Sequence, residues 1–504
     1  MKEIIVLPSV KKNIVANLFG GAWTGLMGLV FVPFYIRLMG VESYGIVGLL
    51  ATLQAMFVVL DLGLSQTIAR EMARLSIDPK NGSQMANTAR TLEIIYWGIA
   101  LLVTSTIILL SHFLAFQWLN PEHLSKETLL EVLWIMALVI GLRWPVALYQ
   151  GGLNGLQRQV LSNILLTIFG TVQSVGALAV LWFIQPTIRV FFFWQASIAL
   201  LQVIVLRITL WRCMPSSQRG VFTKSVVREI WRFAAGISGI SLISTVLMQL
   251  DKILLSKLLS LTDFGYYMFA STVAAVLYRL IGPVFTAYYP RLTELASKRD
   301  TVSLIQTYHQ GCQLLAVMIL PIACMFAFFS KEILELWVRD PLVITHSSML
   351  ISILILGNLF HGFVHIPYAL QLAYGWTKFS FYMNLIAVLF LAPAIYFFTR
   401  SFGPIGATFV WLTLNVGYVV LGMPIMYRKL LPSEKWKWYL YDVGILTFLA
   451  FGVTAVQRAI IPYGLNDIQK IGILFLVFLI TASSTALGTA WFRTKVRSIF
   501  SRAT

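Results

Sequence analysis

Charge is scarce in this chain. Only 12% of its 504 residues are charged and 58% are hydrophobic, whereas a soluble domain carries about 25% charged residues. A soluble globular fold is therefore excluded. Cysteine is scarcer still. Cys213, Cys312 and Cys324 are scattered and form neither a disulfide framework nor a metal site, so core packing is their expected role. No GxxxxGK[ST] loop is present to cradle a nucleotide phosphate, so the chain does not itself consume ATP. Low-complexity stretches and long linkers are also missing, and no link between apolar runs is long enough to fold as a separate domain.

What remains is a succession of apolar runs, which we place at 14–36, 45–66, 91–113, 128–150, 161–184, 188–210, 234–256, 264–287, 309–330, 347–369, 379–399, 404–425, 441–460 and 470–491. Most have about 20 residues, enough to cross a hydrocarbon core of ~30 Å. They are continuously apolar rather than alternating, so they read as helices and not as barrel strands. Lys11 and Lys12 precede the first run, but that run is too long for a signal core and lacks a small-residue cleavage site. An uncleaved helix is expected there. Lys and Arg total 38 against 20 Asp and Glu, a net charge of +18. They fall mainly on alternate links, most densely at Arg207, Arg212, Arg219, Lys224, Arg228 and Arg232. The positive-inside rule then places both termini in the cytoplasm. The basic excess reads as a topology signal and as contact with anionic headgroups of a phospholipid membrane, with no nucleic acid implied.

The chain also repeats itself. Residues 37–45, Arg37-Leu38-Met39-Gly40-Val41-Glu42-Ser43-Tyr44-Gly45, match Lys257-Leu258-Leu259-Ser260-Leu261-Thr262-Asp263-Phe264-Gly265 at a spacing of 220 residues. Gly155 and Arg158 match Gly375 and Lys378 at the same spacing. Six runs separate equivalent points. Six is even, so the second copy enters the membrane in the same direction as the first, a parallel repeat. The expected fold is all-α: about 14 transmembrane helices, with one six-helix lobe in residues 1–220, a second in 221–430, and two additional helices with a cytoplasmic tail in 431–504. Such repeats point to a transporter whose lobes alternate access to a site between them.

Three stretches carry a family resemblance. FVPFYIRLMGVESYGIVGLLATLQAMFVVLDLGLSQTIARE runs from Phe31 to Glu71, with its Tyr44-Gly45 turn, its Asp61-Leu62-Gly63 and the basic residues that follow. QLDKILLSKLLSLTDFGYYMFA (Gln249–Ala270) and GLNGLQRQVLSN (Gly152–Asn163) are the other two. Together they resemble the Wzx-type polysaccharide flippases of the multidrug/oligosaccharidyl-lipid/polysaccharide exporter superfamily. The resemblance implies a V-shaped central cavity between the lobes. It also implies transfer of undecaprenyl-diphosphate-linked oligosaccharide from the inner to the outer leaflet of the bacterial cytoplasmic (inner) membrane, for O-antigen or exopolysaccharide assembly. Glycosyltransferases and a polysaccharide polymerase would be its partners. No cofactor is expected; coupling to sodium, protons or the membrane potential stays open. A multidrug/ion antiporter of the same superfamily is one alternative, but it would favour an acidic cavity. A peptidoglycan lipid-precursor flippase is another, but that branch carries arginine in the first helix and residues 14–36 hold none. A membrane-embedded polymerase or ligase would need a large catalytic outer loop, so no enzyme activity is expected.

Charges inside the runs mark the candidate site, because an intramembrane charge is unfavourable unless it faces protein or water. Arg143 lies about 20 Å from one end of its run at about 1.5 Å per residue, and Arg279 is similarly deep. Across the repeat, Asp61 falls opposite Ile281, close to Arg279, and Arg143 falls opposite Phe363, between His361 and His365. Arg143 and Arg279 could bind a diphosphate in paired hydrogen bonds. Asp61 would tune the site or carry a coupling ion, while Tyr278, His361 and His365 would line it. The competing reading is a buried ion pair between an arginine and Asp61. A metal pair at His361 and His365 lacks further ligands. Asp251 and Lys252 are candidates for coupling or gating. As neighbours on a helix they are not expected to pair; Lys252 could reach outward to headgroups.

Overall fold

The computed structural model describes residues 20–21, 23–78, 81–214, 220–224, 226–227, 238–462 and 464–489. Lys11, Lys12, Arg219, Arg228, Arg232 and both chain ends lie outside them. No strand occurs among the described residues. The chain divides into two compact units, Met1–Gly265 and Tyr266–Thr504.

The first unit contains α1 (Trp23–Met39), α2 (Val41–Phe57), α3 (Leu64–Leu75), α4 (Gly82–Phe113), α5 (Lys126–Arg143), α6 (Val146–Gly155), α7 (Gln159–Phe183), α8 (Ile188–Cys213) and α9 (Ser238–Leu258). Helix α10 (Leu261–Ala274) begins in this unit and ends in the second. The second continues with α11 (Val276–Lys298), α12 (Thr301–Trp337), α13 (Pro341–Phe363), α14 (His365–Ala373), α15 (Thr377–Phe402), α16 (Pro404–Gly417), α17 (Met423–Leu430), α18 (Ile445–Ile460) and α19 (Asp467–Gly488).

Local chemistry explains the element ends. Ser125 caps α5 by accepting from Thr128 N at 3.1 Å. Asp340 caps α13 by accepting from the N–H groups of Leu342 and Val343 at 2.9 and 3.1 Å. Asn466 and Gln469 form a capping box at α19; each device supplies an acceptor for otherwise unpaired first-turn N–H groups. Leu62 (φ 48°) and Gly63 (φ 77°) break the chain before α3. Pro145 separates α5 from α6, since proline cannot supply the next helical N–H.

The 220-residue spacing reappears in the helices themselves. α2 starts at Val41 and α10 at Leu261; the α5–α6 break falls at Trp144 and the α13–α14 break at Val364. Each unit also packs its helices in the same pairs. In the first these are α3 with α6, α4 with α5, α5 with α8 and α7 with α8; in the second, α11 with α14, α12 with α13, α13 with α16 and α15 with α16. Lipid tails are as apolar as leucine, so close packing rather than escape from water must hold such pairs together. The repeated motif shows this. Within the first unit a Cβ on Gly45 would meet the Leu261 carbonyl oxygen at 2.8 Å and Gly265 Cα at 3.3 Å, and one on Gly265 would overlap the Val41 carbonyl. Only glycine permits this approach.

Among the described residues, twelve helices are long and apolar enough to cross a membrane. The other two of the expected fourteen segments are also helical, as the shorter α1 and as α9, which carries Asp251, Lys252 and Lys257. Helices α18 and α19 pack on each other and on α12. Around Met325, Phe329 and Val477 the contact is apolar. At one end Arg458 pairs with Glu332 and Lys470 with Glu335, each at 2.6 Å.

Candidate functional site

In the first unit the α5–α6 break carries Arg143 at the last position of α5. Its Nη2 donates to Gln195 Oε1 at 2.6 Å and its Nη1 to Gln54 Oε1 at 3.5 Å. No carboxylate pairs with it among the described residues. Asp61, at the break before α3, instead accepts from Ser65 Oγ at 2.8 Å and from the Tyr96 hydroxyl. The ion pair weighed for Arg143 and Asp61 is thus not formed. Donors outnumber acceptors around Arg143: Gln54 Nε2 and Trp144 Nε1 are also buried without a partner. An unpaired buried donor is unfavourable by about 1–3 kcal/mol, so this cluster is disposed to accept an oxygen-rich anion.

In the second unit Tyr278 and Arg279 lie at the start of α11. The Tyr278 hydroxyl donates to Asn358 Oδ1 at 3.1 Å and is 2.9 Å from His361 Nδ1. Asn358 Oδ1 also accepts from Trp411 Nε1 at 2.9 Å. His365 Nδ1 lies 2.9 Å from the His361 carbonyl oxygen, and the two imidazoles are 4.8 Å apart. Phe285 stacks on Tyr289 and Tyr368 and meets His365 edge-on. The structure therefore joins Tyr278, His361 and His365 in one network. No group of three potential metal ligands occurs among the described residues. Arg279 is exposed and has no side-chain partner there.

Asp251 and Lys252 depart from expectation. Lys252 Nζ lies 3.0 and 3.1 Å from the two Asp251 oxygens and donates to the Met248 carbonyl at 3.2 Å. The helix directs the two Cβ atoms apart, but the long lysine stem folds back, so the neighbours do pair and Lys252 does not reach outward.

Sequence reading passed over four buried acids. Glu93 on α4 accepts from Arg90 and Tyr149 at 2.8 Å and from Arg207 at 2.5 Å. Asp442 and Glu434 hold His309 between them. Glu42 receives the backbone N–H groups of Glu122, His123 and Leu124. Glu93 and Asp442 stood at the first turns of their apolar runs, where a charge is ordinary. Their signal was a basic or imidazole group able to reach them, such as Arg90 three residues before Glu93.

A sequence profile of the polysaccharide biosynthesis protein family matches residues 10–296, and the MatE profile matches residues 237–397. A Shigella flexneri protein provisionally described as an O-antigen transporter is 20% identical over 412 residues, covering 80% of this chain and 94% of that one. An Escherichia coli K12 protein of the same description is 25% identical over 292 residues, 56% of this chain and 65% of that one. Among solved structures, the lipid II flippase MurJ in an inward closed conformation gives a TM-score of 0.64 at 15% identity, covering 94% of this chain and 98% of that one. At that identity the likeness establishes the fold. With the apolar helices it makes this an all-α, multi-pass membrane protein.

Proposed function

The chain belongs to the polysaccharide biosynthesis protein family, and on that premise we propose that it flips undecaprenyl-diphosphate-linked oligosaccharide units from the cytoplasmic to the outer leaflet of the bacterial inner membrane, by alternating access, for O-antigen or exopolysaccharide assembly. It works as a transporter rather than an enzyme. The observation that carries the substrate reading is that Arg143 and Arg279, both in membrane-spanning helices, lack a carboxylate partner among the described residues. An intramembrane cation is unfavourable unless paired or hydrated. A lipid diphosphate, with about two negative charges, pairs well with guanidinium. In this reading Arg143 and Arg279 bind the diphosphate, Asp61 tunes the charge near Arg143, and the Tyr278–His361–His365 network lines the path of the sugar. Asp61 and the Asp251–Lys252 pair are the places for coupling or gating by sodium, protons or the membrane potential.

The residues 1–220 and 221–430 act as the moving lobes, with 431–504 outside them and both termini in the cytoplasm. Glycosyltransferases supply the substrate and a polymerase consumes it. The test is a strain lacking this chain. Lipid-linked oligosaccharide should accumulate in the inner leaflet and surface polysaccharide should vanish, with restoration on re-expression. Intact polysaccharide with altered drug tolerance would favour the antiporter reading instead. Arrest of cell-wall synthesis would favour a peptidoglycan precursor.

A further inference from the structure

Helix α11 exposes small and polar residues along one face. Between Val276 and Pro290 the exposed residues are Arg279, Gly282, Pro283, Thr286, Ala287 and Pro290. Their spacing of three and four is one face of a helix with about 3.6 residues per turn. None is a large apolar residue. On α15 of the same unit the exposed residues include Tyr382, Leu385, Ile386, Leu389 and Phe390, the composition that lipid requires.

The two prolines change the backbone chemistry of that face. Pro283 and Pro290 lie inside α11 and have no N–H to give to the carbonyls four residues earlier. Those carbonyls belong to Arg279 and Thr286, on the same face. Thr286 Oγ1 spends its hydrogen on the Gly282 carbonyl at 2.9 Å and presents an oxygen as acceptor. Bare carbonyls against hydrocarbon would be strongly unfavourable, so this face belongs against water or a polar ligand. It is rich in acceptors, flanked by the Phe285–Tyr289 aromatic stack, and has one strong donor, Arg279, near its start.

A ligand matching this pattern brings many hydroxyl donors, apolar sugar faces and one anionic group. We propose that the α11 face from Arg279 to Pro290 is the binding track for the hydroxyl-rich saccharide of the transported lipid, with Arg279 holding its phosphate. The proposal rests on the flippase reading above.

The test uses the full chain in lipid nanodiscs and two probes: sugar-free undecaprenyl diphosphate, and the lipid-linked oligosaccharide extracted from a source strain lacking the transporter. The double variant Pro283→Ala, Pro290→Ala returns both N–H groups to the helix. It should weaken the sugar-bearing probe about tenfold, as expected for two lost hydrogen bonds, and leave the sugar-free probe within about twofold of wild type on the same scale. Equal weakening of both probes, or of neither, overturns the track. Wild-type chain that binds neither probe overturns the transport reading, and the track with it. A second measurement does not depend on removing the prolines. Ala287→Cys in a Cys213→Ser background should react with a charged, membrane-impermeant maleimide in proteoliposomes. An inserted but unreactive variant puts the face in lipid and overturns the proposal.

Discussion

Arg143 and Arg279 are two cations in membrane-spanning helices of one repeated fold, and their surroundings are opposites. Arg143 is tied to Gln54 and Gln195, whereas Arg279 stands exposed with no side-chain partner among the described residues. The acid and the imidazoles divide in the same way. Asp61 is held by Ser65 and Tyr96 in the first unit, and the histidines join Tyr278 in the second. The two units share their helix breaks and packing pairs and differ in side-chain chemistry. One unit thus holds a guanidinium already positioned by its neighbours, and the other an exposed one.

The contrast is most sharply tested at Arg279. Arg279→Ala should abolish surface polysaccharide, with binding of the lipid diphosphate down by about tenfold to a hundredfold for a lost charge-assisted pair, while the melting temperature stays unchanged because nothing is stranded. Arg279→Lys should rescue only in part, as it loses the two-pronged geometry. Export at wild-type level in the alanine variant would make Arg279 a bystander.

Arg143→Ala should also impair export, and here the melting temperature should fall as well. It strands the Gln54 and Gln195 oxygens, at about 1–3 kcal/mol for each buried unpaired group. A fall in melting temperature with full export would leave Arg143 a purely structural residue. The smallest effect is expected from Asp61→Asn, because the amide oxygen still accepts from Ser65 or Tyr96. Export should drop less than with either arginine change. A loss as severe as theirs, measured in the same strain, would place the coupling ion at Asp61.

Hydropathy and the repeat made the helical fold readable, because the bilayer forces every backbone group into helices and so writes span length into composition. The breaks at Leu62-Gly63 and Pro145 were visible as glycine and proline. The break at Val364 was marked as well: Pro367, in the first turn of α14, has no N–H to give to the Phe363 carbonyl, and Val364 lies opposite Trp144 in the repeat. Site residues were legible where a charge interrupts an apolar run, as with Arg143, Arg279 and Asp61. Side-chain reach was not: rotamers decide that Lys252 folds onto Asp251, and tertiary packing decides that Arg207 finds Glu93, 114 residues away. The special face of α11 depends on which side of the helix stays uncovered, and the order of residues alone does not say that.

The meeting of Gly45 with Gly265 ties two distant stretches of sequence to one fate. The glycines hold equivalent positions 220 residues apart, and each forms part of the surface the other packs against. A bulky substitution in one copy is felt at once by its own duplicate. Any residue placed at one must therefore also fit the backbone of the other, so two turns far apart in the chain behave as a single joint.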